Sequence, residues 1–254
     1  MGNISYLAIK TIIFHVVKDF FREFQFNVLA PLITTILFVF IFSTLDRFYT
    51  INQSTSYINF LVPGIVMLVI IQTSFNHLSE IIINMKQIGS FNDYLISPMS
   101  RIELFISLII SSIIVCLIIG LINLFILSIF ANFETINLIT SLYYMIICIL
   151  IFSSLGALTG FLFFTWDVQS TISNFIVLPI SFLSGTFFSI ELVEQKFLFI
   201  FQYNPIYYLV NGFRSSFNSN YELNIYYNLF LLTLAFLIIL FSMFIFKKGY
   251  RVIF

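Results

Sequence analysis

The chain has 254 residues, of which 60% are hydrophobic and only 9% are charged. Soluble domains carry roughly 25% charged residues, and a surface made largely of apolar patches promotes aggregation. The formal net charge is zero, so no basic patch supports nucleic-acid binding. Length, composition and charge therefore exclude a soluble protein and a nucleic-acid partner, and they predict a polytopic membrane protein.

Residues 5–24 are predicted to form an amphipathic helix. Apolar side chains recur at helical spacing between Ile9 and Phe24, while polar and charged residues from Thr11 to Glu23 fall on the opposite side. Basic residues beside aromatic residues are typical of a helix that lies along the membrane surface. We therefore expect this helix to be interfacial.

Six apolar stretches meet the requirement of roughly 20 residues for a membrane-spanning helix. They cover residues 26–45, 58–83, 104–130, 138–164, 168–189 and 223–246. The expected fold class is therefore an all-α polytopic membrane protein with six transmembrane helices, and residues 1–254 are expected to form a single transmembrane domain.

The region between the fifth and sixth predicted spans contains two apolar segments that are too short to cross a membrane. They cover residues 197–203 and 206–213, and Pro205 separates them. Apolar pieces of about 10 residues usually indicate re-entrant or interfacial segments. Residues 191–217 are therefore predicted to form a re-entrant helical hairpin.

Lys and Arg residues are distributed unevenly between the two sides that six spans would define. One side holds eight of them, namely Lys10, Lys18, Arg22, Lys86, Arg101, Lys247, Lys248 and Arg251. The other side holds only Arg47, Lys196 and Arg214. Because cytoplasmic loops carry an excess of Lys and Arg, both termini are predicted to lie in the cytoplasm.

Motifs for the usual catalytic chemistry are absent from the sequence. There is no P-loop motif, GxxxxGK[ST], and the only histidines are His15 and His77. ATP binding through a P-loop, a metal cluster and a Ser/His/Asp triad are therefore not expected in this chain. The predicted spans also hold no ionisable residue at mid-depth, which argues against a proton- or ion-driven transporter.

The fourth predicted span contains the sequence GALTG, which places Gly156 and Gly160 four residues apart on one helix face. A GxxxG pair lets two membrane helices approach closely. The sequence leaves two partners open, a second helix of the same chain or the same helix of a second copy.

The polar peptide of residues 86–100 separates the second and third predicted spans. Ser90 with Asp93, and Ser100 with Glu103, fit the spacing of capping boxes at two helix starts. Pro98 disfavours helical geometry at the residue before it. The peptide is therefore predicted to contain a discrete short helix over residues 91–96.

One face of this short helix is expected to carry Phe91, Tyr94 and Leu95, which follow the i, i+3, i+4 spacing. With the predicted topology the helix lies in the cytoplasm and exposes an aromatic face. Two interpretations follow. The face binds a partner protein, or the helix is a well-capped loop that packs on the membrane bundle itself.

The whole chain resembles the type-2 permease family of ATP-binding cassette exporters. The resemblance rests on the order of a surface helix and six spans, and on three sequences. These are YINFLVPGIVML at the start of the second span, FNDYLISPMSRIEL after it, and NPIYYLVNGFR before the sixth span. Their combination is more specific than any one of them alone.

The resemblance implies an assembly of two permease copies with two separate ATPase subunits, which would bind ATP and Mg²⁺, so that no cofactor is expected in this chain. It also assigns a connecting helix to residues 5–24, a coupling helix to residues 91–98, and re-entrant helices that cap the exit to residues 191–217. The residues expected to couple to the ATPase are Phe91, Asp93, Tyr94, Leu95, Ile96, Ser97 and Pro98. Glu80, at the end of the second span, is assigned to the same junction from its position.

The expected function is that of the permease subunit of an exporter in the bacterial inner membrane. Its substrate would be an amphiphilic drug-like molecule, a lipid or a lipid-linked glycan, and a polysaccharide is the alternative within the same class. A membrane-embedded enzyme, or a scaffold for one, is the alternative from a different class. An enzyme needs a convergent polar cluster, and the spans offer only scattered Ser, Thr and Asn.

Overall fold

A computed structural model describes residues 6–49, 57–97, 99–131, 133, 137–190, 193–217 and 225–248. These residues form helices and connecting turns without a strand, which confirms the all-α polytopic fold class. The first six helices are α1 (Tyr6–Arg22), α2 (Ala30–Tyr49), α3 (Tyr57–Ile88), α4 (Ser90–Ile96), α5 (Arg101–Ser128) and α6 (Leu138–Leu162). The remaining helices are α7 (Trp166–Ile172), α8 (Leu178–Phe182), α9 (Leu198–Tyr203), α10 (Pro205–Ser215) and α11 (Ile225–Lys248).

Five helices in the described part of the chain are long and apolar enough to cross a membrane. They cover Gln25–Thr44, Tyr57–Ile88, Arg101–Ser128, Leu138–Leu162 and Ile225–Lys248. The first of these begins with a π-helical turn, Gln25–Leu29, that leads directly into α2. Five of the six predicted spans therefore correspond to single long helices.

The stretch predicted as the fifth span, residues 168–189, is not one regular helix. Helix α7, a π-helical turn at Ser173–Val177 and helix α8 follow one another without a break from Trp166 to Phe182. At about 1.5 Å per residue this stretch is roughly 25 Å long, slightly less than a bilayer core of about 30 Å. From Leu183 the chain is irregular, and Gly185 adopts a φ of 74°, which L side chains rarely adopt.

Helix α3 is the centre of the molecule, since most of its side chains are buried and it packs against α2, α5, α6 and α10. The two glycines of the GxxxG pair explain its closest contact, with α6. A Cβ atom at Gly156 would overlap the carbonyl oxygen of Phe75, and one at Gly160 would lie 2.8 Å from the Cβ of Ile82. The structure thus places both glycines in packing within the chain.

Helix α1 has the amphipathic character that the sequence predicts. Ile12 and Val16 are buried, and the helix packs against α5 through this face, while Tyr6, Leu7 and Phe14 remain exposed. The apolar spacing determines which side of the helix faces α5, because residues four apart on a helix lie on the same side.

The segment between the broken helix and α11 contains two short helices where the sequence predicts a helical hairpin. Helices α9 and α10 are joined at Asn204, whose side-chain amide donates to the carbonyl oxygens of Ile180 at 3.0 Å and Leu183 at 3.1 Å. The Asn204 Oδ1 atom accepts from the backbone N–H of Ile206 at 3.0 Å and so caps α10. The turn of the hairpin is therefore attached to the end of α8.

Candidate functional site

The short helix α4 begins at a glycine rather than at the predicted capping box. Gly89 adopts a φ of 83° and occupies the N-cap position, which makes no side-chain cap. The Ser90 hydroxyl instead donates to the carbonyl oxygen of Met85 at 3.4 Å. The capping box proposed for Ser90 and Asp93 was therefore wrong, because a left-handed glycine already reverses the chain direction after α3.

The second capping box, at the start of α5, is confirmed. The backbone N–H of Ser100 donates to the Glu103 carboxylate at 2.7 Å, and the backbone N–H of Glu103 donates to the Ser100 hydroxyl at 3.2 Å. This reciprocal pair fixes the point where the loop ends and the long helix begins.

Phe91 does not belong to an exposed aromatic face. Its side chain is only 2% exposed, and its ring lies 6.1 Å from that of Phe246, at the end of α11. The same buried cluster includes Leu104 and Phe105 of α5. The expectation that this side of the helix lacks a partner within the chain was wrong for Phe91, because α5 and α11 both reach the loop.

The outward side of α4 carries different residues. Ile96 is 84% exposed, Asp93 is exposed, and Tyr94 is half-buried at the edge of the cluster that covers Phe91. The helix ends at Ser97, whose backbone N–H donates to the carbonyl oxygen of Asp93 at 3.0 Å. The Ser97 hydroxyl donates to the backbone carbonyl oxygen of Tyr94 at 2.7 Å. The side chain of Leu95 and all of Pro98 lie outside the described residues.

Lys86 and Gln87 tie the loop to the end of α6, a connection that sequence reasoning missed. Lys86 Nζ donates to the carbonyl oxygen of Phe161 at 2.6 Å and lies 4.3 Å from the ring centroid of Phe164. The Gln87 side chain donates to the carbonyl oxygen of Phe164 at 3.1 Å and accepts from the indole N–H of Trp166 at 2.6 Å. The one signal in the sequence was Trp166 itself, the single tryptophan of the chain.

The C-terminal end of α11 lies at the same end of the molecule as α4. Arg101 donates from Nη1 to the carbonyl oxygen of Lys247 at 2.7 Å, close to the contact between Phe91 and Phe246. The structure therefore brings together basic residues of the loop, of α5 and of α11. This placement agrees with their assignment to one side of the membrane.

Glu80 lies close to the loop but not in direct contact with its outward side. Together with Tyr94 and Trp166 it lines a cavity of about 370 Å³ between α1, α3 and α4. Its carboxylate therefore faces a space beside the short helix.

The arrangement is suited to a mechanical role. Helix α4 follows α3 directly after Gly89, and Phe91 packs it in a cluster with residues of α5 and α11. The last turn of α3 is in turn bonded to the end of α6 and to α7 through Lys86 and Gln87. A force applied to the exposed side of α4 would thus reach α3, α5 and α11 directly, and α6 and α7 through the end of α3. Interiors packed like crystals transmit such displacements rather than absorbing them.

The sequence is similar to one protein family and to several known proteins. The model of the ABC-2 type transporter family matches residues 8–218. The chain is also 24% identical over 219 residues to the inner membrane transport permease YadH of Escherichia coli (strain K12) and to that of Shigella flexneri. Each match covers 85% of this chain and 85% of the relative.

Proposed function

The chain belongs to the ABC-2 type transporter family, and on that premise we propose that it is the permease subunit of an exporter in the bacterial inner membrane. The family match and the name of its relatives support a membrane transport subunit rather than an enzyme. The direction of transport and the coupling to a separate ATPase are parts of the proposal. In it, the partner subunit binds ATP and Mg²⁺, and this chain forms the substrate pathway.

Helix α4 is the proposed docking element for the ATPase. The observation that carries this assignment is the contrast between its two sides, with Phe91 2% exposed and Ile96 84% exposed. An exposed apolar residue on a helix that is otherwise firmly attached suits an interface with a partner. Asp93, Tyr94 and Ile96 would contact the ATPase, while Phe91 passes the displacement to α5 and α11.

The remaining parts of the assembly follow from the family. Two copies of the permease would combine with two ATPase subunits in a bilayer, with both termini and α4 in the cytoplasm. The hairpin of α9 and α10 would enter the membrane from the opposite side and cap the exit. The substrate would be an amphiphilic drug-like molecule, a lipid or a lipid-linked glycan.

Co-purification of the ATPase subunit with the permease tests the docking role. Interface residues with buried aromatic or apolar anchors often lose about 2 kcal/mol or more on truncation to alanine. Because about 1.4 kcal/mol corresponds to a tenfold change in affinity, Ile96→Ala and Tyr94→Ala should each weaken ATPase binding by about tenfold or more. Insertion of the permease should be unchanged, since the long helices are untouched.

Ile139→Ala provides a matched control for this experiment. Ile139 is 83% exposed and lies at the start of α6, far along the chain from α4 at the other end of α5. It should retain the ATPase at the wild-type level. Wild-type retention by Ile96→Ala and Tyr94→Ala as well would show that α4 is only a connecting loop.

A further inference from the structure

Two cavities lie next to each other along one side of α3. The larger, of about 540 Å³, lies between the start of α2, α3 and α8, and the smaller, of about 370 Å³, lies between α1, α3 and α4. Four residues line both of them, namely Phe20, Asn27, His77 and Glu80. The shared wall makes the two cavities parts of one groove that begins beside α4 and continues along α3.

The larger cavity has an aromatic lining. The rings that line it come from α1, from the π-helical turn before α2, from α2, from α8 and from the irregular chain after α8. They belong to Phe20, Phe26, Phe38, Phe182 and Phe187. Its volume lies in the range of roughly 300–1,000 Å³ that small-molecule sites occupy. The negative faces of aromatic rings attract cations as well as apolar groups.

Among the described residues, every charged side chain that lines the groove is acidic. Asp19, Glu23 and Glu80 line the smaller cavity, and Glu80 also lines the larger one. The three basic residues of α1, Lys10, Lys18 and Arg22, are exposed and do not line either cavity. An anionic ligand would therefore meet repulsion at this groove, and a cation would meet attraction.

A second feature of the groove also indicates a ligand. His77 is only 6% exposed, and its Nε2 atom has no hydrogen-bond partner in the described part of the chain. The side-chain nitrogen of Gln72, which lines the same cavity, likewise lacks a partner there. Buried polar atoms are nearly always paired, so these two atoms are suited to polar groups of a bound molecule.

The neighbouring polar residues are held in fixed positions. The Asn76 side-chain oxygen accepts from Gln169 at 3.0 Å and from the Ser173 hydroxyl at 2.8 Å, which joins α3 to the broken helix. The unpaired atoms of Gln72 and His77 therefore lie on the same helix as an Asn76 side-chain oxygen that is already paired.

We propose that this groove binds a cationic amphiphile, with Glu80 opposite the positive charge, the phenylalanine rings around the apolar part, and Gln72 and His77 beside its polar groups. The proposal rests on the proposed function, since it names the substrate class of the same permease. It narrows that class from amphiphiles in general to lipophilic cations with a hydrogen-bonding group.

Binding of two related dyes to the purified permease in lipid nanodiscs tests this assignment. Tetramethylrhodamine methyl ester is a permanent cation, and fluorescein methyl ester, with the same type of ring system and the same ester, is an anion in weakly alkaline buffer. Fluorescence anisotropy, corrected for empty nanodiscs, should show saturable binding of the cation at least tenfold tighter than that of the anion. Equal binding of the two dyes would show a generic apolar surface, such as an interface with a second copy, and would overturn the proposal.

Two variants locate the binding in the groove. Glu80→Gln keeps the size of the side chain and removes its charge, so it should weaken cation binding at least tenfold. Glu194→Gln removes an exposed carboxylate that pairs with Lys196 outside the groove and should change nothing. Unchanged cation binding by a Glu80→Gln protein that elutes like the wild type would refute the site, and the comparison of the two dyes on wild type decides the charge preference even if this variant misfolds.

The two proposals fail in different ways. Dye binding is measured on the permease without its ATPase, whereas the docking role of α4 is measured by ATPase co-purification. A permease that retains the ATPase but does not prefer the cation would lose only the substrate class. One that prefers the cation but binds no ATPase would lose the coupling role instead.

Discussion

At the scale of single residues, the contacts of α3 with α6 and with α5 depend on what faces Gly156 of α6 and Gly120 of α5. A methyl group at Gly156 would meet the backbone carbonyl of Phe75, which cannot move without shifting α3. A methyl group at Gly120 would meet side-chain atoms, Ile70 Cδ1 at 2.8 Å, Ile70 Cγ1 at 3.0 Å and Met145 Cε at 3.8 Å, and side chains can shift more easily than backbone. The same substitution should therefore have different consequences at the two positions.

Gly156→Ala is expected to destabilise the permease by about 1–3 kcal/mol, the usual effect of overpacking a rigid core, and Gly120→Ala should cost clearly less. The thermal midpoint of each variant in the same detergent, followed by size-exclusion chromatography after heating, measures the difference. A wild-type midpoint for Gly156→Ala would show that α3 and α6 can separate without a penalty.

Of the two local capping signals in the sequence, the one at the start of α5 was confirmed, and the one at Ser90 failed because Gly89 takes the N-cap position. The capping box of Ser100 and Glu103 lies within four consecutive residues, and it forms as predicted. The burial of Phe91 depends on Phe246, which is far away along the chain, and no local spacing indicates that contact. The bonds from Lys86 and Gln87 to the end of α6 were missed for the same reason.

At the scale of helices, one arginine adds a second polar attachment of α10, besides the bonds of Asn204 to the end of α8. Arg214 donates from Nε to the carbonyl oxygen of Phe60 at 3.2 Å and from Nη2 to that of Gly185 at 3.1 Å. Its guanidinium also lies 3.7 Å from the ring centroid of Phe60. A single side chain thus joins α10 to the start of α3 and to the irregular chain after α8.

Arg214→Ala should therefore loosen α10 while α5 and α6 stay protected. A hydrogen bond from a charged group contributes about 1.5–3 kcal/mol, so amide hydrogen exchange in α10 should accelerate by about tenfold or more. Arg214→Lys should not restore protection, since an ammonium group cannot reproduce the planar fork that reaches two carbonyls.

Lys196→Ala serves as the control for hydrogen exchange, because Lys196 is exposed and contacts only Glu194 and the Phe197 ring among the interactions described for it. Its variant should exchange like the wild type. Full protection of α10 in Arg214→Ala would mean that apolar packing of Leu209 and Phe213 alone holds the hairpin.

The length of an apolar run predicted that a helix forms there, but it did not predict whether that helix is regular. Long uninterrupted runs such as those of α5 and α11 can only be satisfied by spanning helices. The run predicted as the fifth span has a similar composition, but it contains a π-helical turn at Ser173–Val177 and ends at Phe182. Polar contacts of Ser173 and Asn204 with other segments accompany these departures, and apolar length carries no information about them.

At the scale of the whole molecule, the two ends of α3 contact different parts of the protein. It has 32 residues, and at about 1.5 Å per residue it is longer than the hydrocarbon core of a bilayer, which is about 30 Å thick. Lys86 and α4 lie at its C-terminal end, while Arg214 contacts Phe60 near its N-terminal end. The cluster of basic residues around α4 and the hairpin therefore belong on opposite sides of a membrane.

Cysteine labelling in intact cells tests which side is which. Lys196 and Lys248 are both exposed and lie at the two opposite ends, and the natural Cys116 and Cys148 are buried, which keeps the background low. With both termini in the cytoplasm, a membrane-impermeant maleimide should label Lys196→Cys directly. It should label Lys248→Cys only after permeabilisation, because the excess of Lys and Arg near Lys248 favours the cytoplasmic side. The reverse pattern would place Asp93 and Ile96 outside the cell, where no ATP-hydrolysing subunit could reach them, and α4 could then not be the coupling element.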